Sequence, residues 1–226
     1  MKFLLSFLFV GFLTLACIGQ SKSLSPFTSI ATSGSVSVEL IKGSSPKAEY
    51  TIQKGNEEDL FIEVNNGELS VKIKSKNKKW NNSGTKASVK VYYQTLNKIE
   101  CSAGSSLASY SEIDEASMEI EASSGASCQV KINSKDLKVD ASSGSRITIS
   151  GVSKLASYDA SSGARIDAAA NESEIVDADV SSGASVLAYA TKKITADASS
   201  GGSVKYKGNP ESKNINSGMS GSVNTF

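Results

Sequence analysis

Ala122-Ser123-Ser124-Gly125 returns as Ala141-Ser142-Ser143-Gly144, Ala160-Ser161-Ser162-Gly163, Val180-Ser181-Ser182-Gly183 and Ala198-Ser199-Ser200-Gly201. A degenerate first copy stands at Cys101-Ser102-Ala103-Gly104, and successive glycines lie 21, 19, 19, 20 and 18 residues apart. A turn signal at a nearly fixed period marks a repeat architecture. The flanks repeat as well. Three residues after each glycine stand Leu107, Cys128, Ile147, Ile166, Val186 and Val204, all apolar. Five before it stand Ile99, Ile120, Val139, Tyr158, Ala178 and Ala196, and three before it Cys101, Ala122, Ala141, Ala160, Val180 and Ala198. Between those two positions, four before each glycine, every copy has an acid: Glu100, Glu121, Asp140, Asp159, Asp179 and Asp197. Side chains alternate along a strand, so the apolar pair points to one face and the acid to the other.

An α-helical repeat does not fit, because helical spacing is absent and Ser-Ser-Gly interrupts the chain about every 19 residues. A period of that length holds two or three short strands and tight corners. Stacking such turns places like on like about 4.8 Å apart, and each turn buries its apolar face only against its neighbours. This predicts an all-β, right-handed parallel β-helix, the hand following the general crossover preference. The glycine supplies positive φ at the corner, and serine hydroxyls satisfy backbone groups there. Six full turns are expected from the repeats.

Before residue 99 the alternation persists with a looser period: Val36/Val38/Leu40, Tyr50/Ile52, Leu60/Ile62/Val64, Leu69/Val71/Ile73 and Val89/Val91. This half reads as longer, meandering strands that close one end of the solenoid, with a basic polar loop carrying Trp80 over residues 75–86. Solenoid ends need covers, because an open turn exposes unpaired backbone. Residues 26–208 are read as the solenoid and 209–226 as a C-terminal cap or tail.

The first 19 residues read as an export signal: one charge at Lys2, an apolar run from Phe3 to Ala16, then small residues. The run is shorter than a membrane-spanning helix of about 20 residues, and no second run of spanning length follows. Cys17 and Gly19 suit a cleavage that leaves Gln20 first. Alternatively, Thr14-Leu15-Ala16-Cys17 is a lipobox and Cys17 is acylated, which would tether the protein to lipid. Either way the chain is expected to be exported: secreted, periplasmic or associated with the outer membrane.

Composition narrows the chemistry. The 226 residues include no histidine, 18 glycines and 43 serines, so Ser-His-Asp catalysis and imidazole metal sites are excluded. Without Lys2 the 23 remaining bases balance 23 acids, which disfavours a nucleic-acid partner. The acidic row is the most chemical feature. Asp140, Asp159 and Asp179 are candidate oxygen ligands for Ca²⁺, although no dense calcium-loop motif accompanies them. Arg146 and Arg165, the only two arginines, hold equivalent places in successive turns and are candidates for gripping acidic sugars or carboxylates. Trp80, Tyr93, Tyr110 and Tyr189 are scattered aromatics that could stack on sugar rings. Cys101 and Cys128 are expected to be buried thiols on opposite flanks of the corner. No cofactor and no catalytic residue is assigned.

The succession Pro26-Phe27-Thr28-Ser29-Ile30, Ser33-Gly34-Ser35-Val36-Ser37-Val38, Gly67-Glu68-Leu69-Ser70-Val71-Lys72-Ile73, Val89-Lys90-Val91-Tyr92 and Leu96-Asn97-Lys98-Ile99, followed by the Ser-Gly repeats, resembles the auto-transporter adhesin, head GIN domain family of exported Bacteroidetes proteins. The resemblance spans about residues 26–208. It implies a right-handed β-helix, secretion or lipid tethering, and no catalytic residues. The expected function is a structural or adhesive surface module that binds carbohydrate or a partner protein. The alternative is a polysaccharide-active, pectate-lyase-like enzyme on the same scaffold.

Overall fold

The computed structural model describes residues 20–74 and 84–226. The expected export signal over 1–19, with Cys17, and Trp80 lie outside the described residues. The strands are β1 (Gln20–Ser23), β2 (Ser29–Ser33), β3 (Val36–Lys42), β4 (Lys47–Lys54), β5 (Leu60–Asn65), β6 (Glu68–Ile73), β7 (Lys86–Tyr93) and β8 (Lys98–Ser102). They continue as β9 (Ser106–Ala122), β10 (Ser127–Ala141), β11 (Arg146–Ala160), β12 (Arg165–Val180), β13 (Ser185–Ala198), β14 (Ser203–Lys207), β15 (Ser212–Ser217) and β16 (Ser222–Thr225). A short 3-10 turn at Glu57–Asp59 precedes β5. Together they form a β-solenoid of about seven turns of roughly 19 residues.

The repeat positions become columns. Ile30, Ile99, Ile120, Val139, Tyr158, Ala178, Ala196 and Ile215 are register partners in sequence, each above the last. Val38, Leu107, Cys128, Ile147, Ile166, Val186, Val204 and Val223 form a second column. From Ile99 to Ala196 and from Leu107 to Val204, members of both columns are buried. Each large aliphatic side chain so buried is worth about 2 kcal/mol relative to exposure.

The corner geometry explains the Ser-Ser-Gly signature. Both Ser124 (φ 51) and Gly125 (φ 71) are left-handed, and the same pair recurs at Ser143/Gly144, Ser162/Gly163, Ser182/Gly183 and Ser200/Gly201. Two consecutive positive φ values make a tight turn of the primed type, closed by Ala126 N–H donating to the Ser123 carbonyl at 3.0 Å. The interstrand ladder does not stop there. Gly125 N–H donates to Ser143 O and Ser142 N–H to Ala122 O, each at 3.0 Å. The next residue turns inward and must be small: Ser105, Ala126, Ser145, Ala164 and Ala184 are all buried. Ser145 Oγ donates to the Ala122 carbonyl at 2.9 Å, so a buried hydroxyl is satisfied without leaving the corner.

A second, polar corner lies across the core. Ser134 Oγ and Ser153 Oγ are 3.4 Å apart. Asn171, fully buried, points Nδ2 at Ser153 Oγ (3.1 Å), Ser173 Oγ (3.0 Å) and Tyr158 OH (3.2 Å). Burial pushes the Tyr158 phenol up to about 12.

The first half closes one end with a change of spatial order. β2 lies between β6 and β8, and β3 between β7 and β9, all in parallel pairs. The first turn in sequence is therefore sandwiched inside the stack, and the β6–β7 segment lies outside it. Antiparallel β5 on β6, β4 on β7 and β1 on β4 finish this end. At the other end, β15 pairs with β13 and β16 with β14, both parallel.

One expectation is corrected. Tyr93 is not a surface aromatic: it is fully buried, because it shares strand parity with the inward Ala87, Val89 and Val91 of β7. Cys101 and Cys128 are, as expected, buried free thiols on different columns at the two flanks of the corner, and both face the core.

Candidate functional site

Outside the corner runs an open groove of about 660 Å³. One wall is the acidic column, Glu100, Glu121, Asp140, Asp159 and Asp179, held one above another by strand register. The other is the serine column just before the turn, Ser102, Ser123, Ser142, Ser161 and Ser181. The alternation that sends −5 and −3 into the core leaves these polar side chains outside, at a repeat of about 4.8 Å.

The groove is neutralised at one end only. Lys98 Nζ sits 2.9 Å from Glu100, 3.5 Å from Glu119 and 2.8 Å from Glu121. Hydrogen bonds to Glu121 and Glu100 hold its ammonium well above the usual lysine range. Lys138 lies 3.5 Å from Glu119 and 3.0 Å from Asp140. Beyond Asp140, neither Asp159 nor Asp179 makes an ion pair among the described residues. Partial burial, then repulsion from Asp140 and Asp179, raises the Asp159 carboxyl above its ordinary value.

Asp140, Asp159 and Asp179 are thus brought together, as a row along the groove. Among the described residues no group of three or more acids or cysteines is gathered as a metal-binding cluster. Arg146 and Arg165 are register partners, but they stand beyond the corner, on the adjoining face. Arg165 Nη2 lies 3.6 Å from Asp167. Tyr110 is 73% exposed on that face, beside Gln129 and Thr148. Sequence reasoning missed Lys98, Glu119 and Lys138. They occupy the position two before the acidic column, so extending the alternation by one step would have placed them on the same outward face, within reach of the groove's acids.

No helix among the described residues is long and apolar enough to cross a membrane. No curated protein matches the chain in sequence. In structure it is similar to a "putative adhesin" from Bacteroides fragilis at TM-score 0.80 and 18% identity, covering 92% of this chain and 96% of that one. A "Putative lipid binding protein" from Parabacteroides distasonis gives TM-score 0.69 and 22% identity over 92% and 95% of the two chains. A "putative adhesin" from Parabacteroides merdae gives 0.68 and 18% over the same shares. At these identities the likeness bears on the fold, and it is the stacked parallel solenoid described above. The model of the family described as "Putative auto-transporter adhesin, head GIN domain" matches residues 26–210, most of the chain, and the chain belongs to that family.

Proposed function

We propose that this protein is an exported, non-catalytic adhesive module that holds an extended carbohydrate or a partner protein along its repeated polar faces. The observation that supports this most is the groove: carboxylates and hydroxyls recur in register over five turns. A repeating row of acceptors and hydroxyls suits a repeating chain of hydroxyl donors. The stacked Arg146 and Arg165 on the next face add a pair of planar cations suited to carboxylate-bearing sugars. Family membership agrees with an adhesive role at the cell surface. The acylation of Cys17 would supply a lipid tether, and cleavage before Gln20 a free form.

A glycan array probed with residues 20–226 tests this reading. The expected result is retention of one class of extended glycan, weakened at least tenfold by Asp159→Asn with Asp179→Asn, or by Arg146→Ala with Arg165→Ala for acidic glycans. Absence of binding across glycans and surface proteins would remove it. Release of unsaturated products from polygalacturonate would replace it with the lyase alternative.

A further inference from the structure

The two cysteines break the repeat at two adjacent places. Position −3 holds Ala122, Ala141, Ala160, Val180 and Ala198 in the later copies, and only the first has Cys101. Position +3 holds Leu107, Ile147, Ile166, Val186 and Val204, and only the second copy has Cys128. Register places Cys101 directly beneath Ala122, and Ala122 and Cys128 flank one and the same corner. The two exceptions therefore stand diagonally across one corner, one turn apart, and both face the core. Both residues are at most 2% exposed and both are free thiols.

The geometry points to a cystine site: oxidation joins Cys101 to Cys128 and staples two consecutive turns of the solenoid from within. The oxidant is a disulfide, either a thiol–disulfide oxidoreductase or a small disulfide such as oxidised glutathione. The thiolate of one cysteine attacks it and forms a mixed disulfide, releasing one thiol. The second cysteine, after losing its proton, displaces the remaining thiol. One S–S bond forms in the protein, one breaks in the oxidant, and two protons and two electrons end on the two released thiols. Because both are buried, the reaction belongs to folding or to transient opening of the corner.

Mass analysis reads this directly. Trypsin cleaves after Lys98 and Lys131 and leaves both cysteines in the single peptide 99–131. The full chain is unfolded, refolded with oxidised and reduced glutathione, alkylated and digested without reduction. The expected peptide carries no alkyl group and has lost the mass of two hydrogens. The oxidised protein melts roughly 5–10 °C higher than the reduced one, and a reductant reverses the shift. Two alkylated thiols, a glutathione adduct or a linked peptide dimer from refolded protein with native circular dichroism would overturn the proposal. A cystine that lowers the melting temperature would overturn the staple as well. Cys128→Ala should melt at one temperature with or without oxidant; an oxidant-dependent rise in that variant counts against the pair.

Discussion

Ser162 shows how one residue sets the shape of a turn. At φ 52 it is left-handed, a conformation that costs most side chains about 1 kcal/mol or more. A short polar side chain tolerates it, and a β-branched one does not. Ser162→Val is expected to destabilise by about 1–2 kcal/mol, and Ser162→Asn to stay within about 0.5 kcal/mol; urea midpoints measure both. Asp159 carries a different kind of cost. Its folded carboxyl binds a proton more readily than the unfolded one, so its charge opposes folding wherever both states are ionised. That penalty is present above the raised value and disappears as pH falls towards the unfolded value near 3.8. Asp159→Asn should therefore stabilise by about 0.5 kcal/mol at neutral pH, discounted for solvent screening. The gain should vanish in melts below pH 4. A gain that grows on acidification would contradict the repulsive row.

At the scale of the strand, β10, β11 and β12 are held by registers that carry the two apolar columns through the core. Ile166 is fully buried between Ile147 and Val186. Ile166→Ala is expected to cost about 3 kcal/mol by chemical denaturation; a loss below about 1 kcal/mol would mean that the column is not close-packed. These columns were legible because period and polarity recur together, so each apolar position in one copy predicts its neighbour in the next. The acidic wall was legible for the same reason. The left-handed serine was not, since glycine announces positive φ and serine does not. Ser134, Ser153 and Ser173 recur at a similar spacing, but no glycine run marks their corner. The Cys101–Cys128 diagonal joins two columns across a corner, which register along a single column does not reveal. In β7 the adjacent Tyr92 and Tyr93 look alike in sequence, and only strand parity sends the second into the core.

Across the whole molecule, parallel stacking makes a rod whose turns depend on their neighbours. The looser period of the first half concealed that β2–β3 enter the stack before β6–β7 cover them, because spatial order there differs from chain order. The segment after residue 208 continues the ladder through β15 and β16, its corner disguised as Ser217-Gly218-Met219-Ser220-Gly221 with Ser220 again left-handed (φ 58). The charge network of Lys98 and Lys138 occupies the early turns and leaves the later acids bare, so the groove has a direction along the rod. Its regularity follows from the coiling itself. The column Ser127, Arg146, Arg165, Ser185 and Ser203 runs along the outer surface in unbroken register. Pulsed electron paramagnetic resonance between spin labels at 127 and 185, and at 127 and 203, measures its rise. Backbone separations of about 14 and 19 Å, one strand spacing per turn, are the predicted result once the label arms are allowed for; distances that fail to grow with turn number would contradict the solenoid.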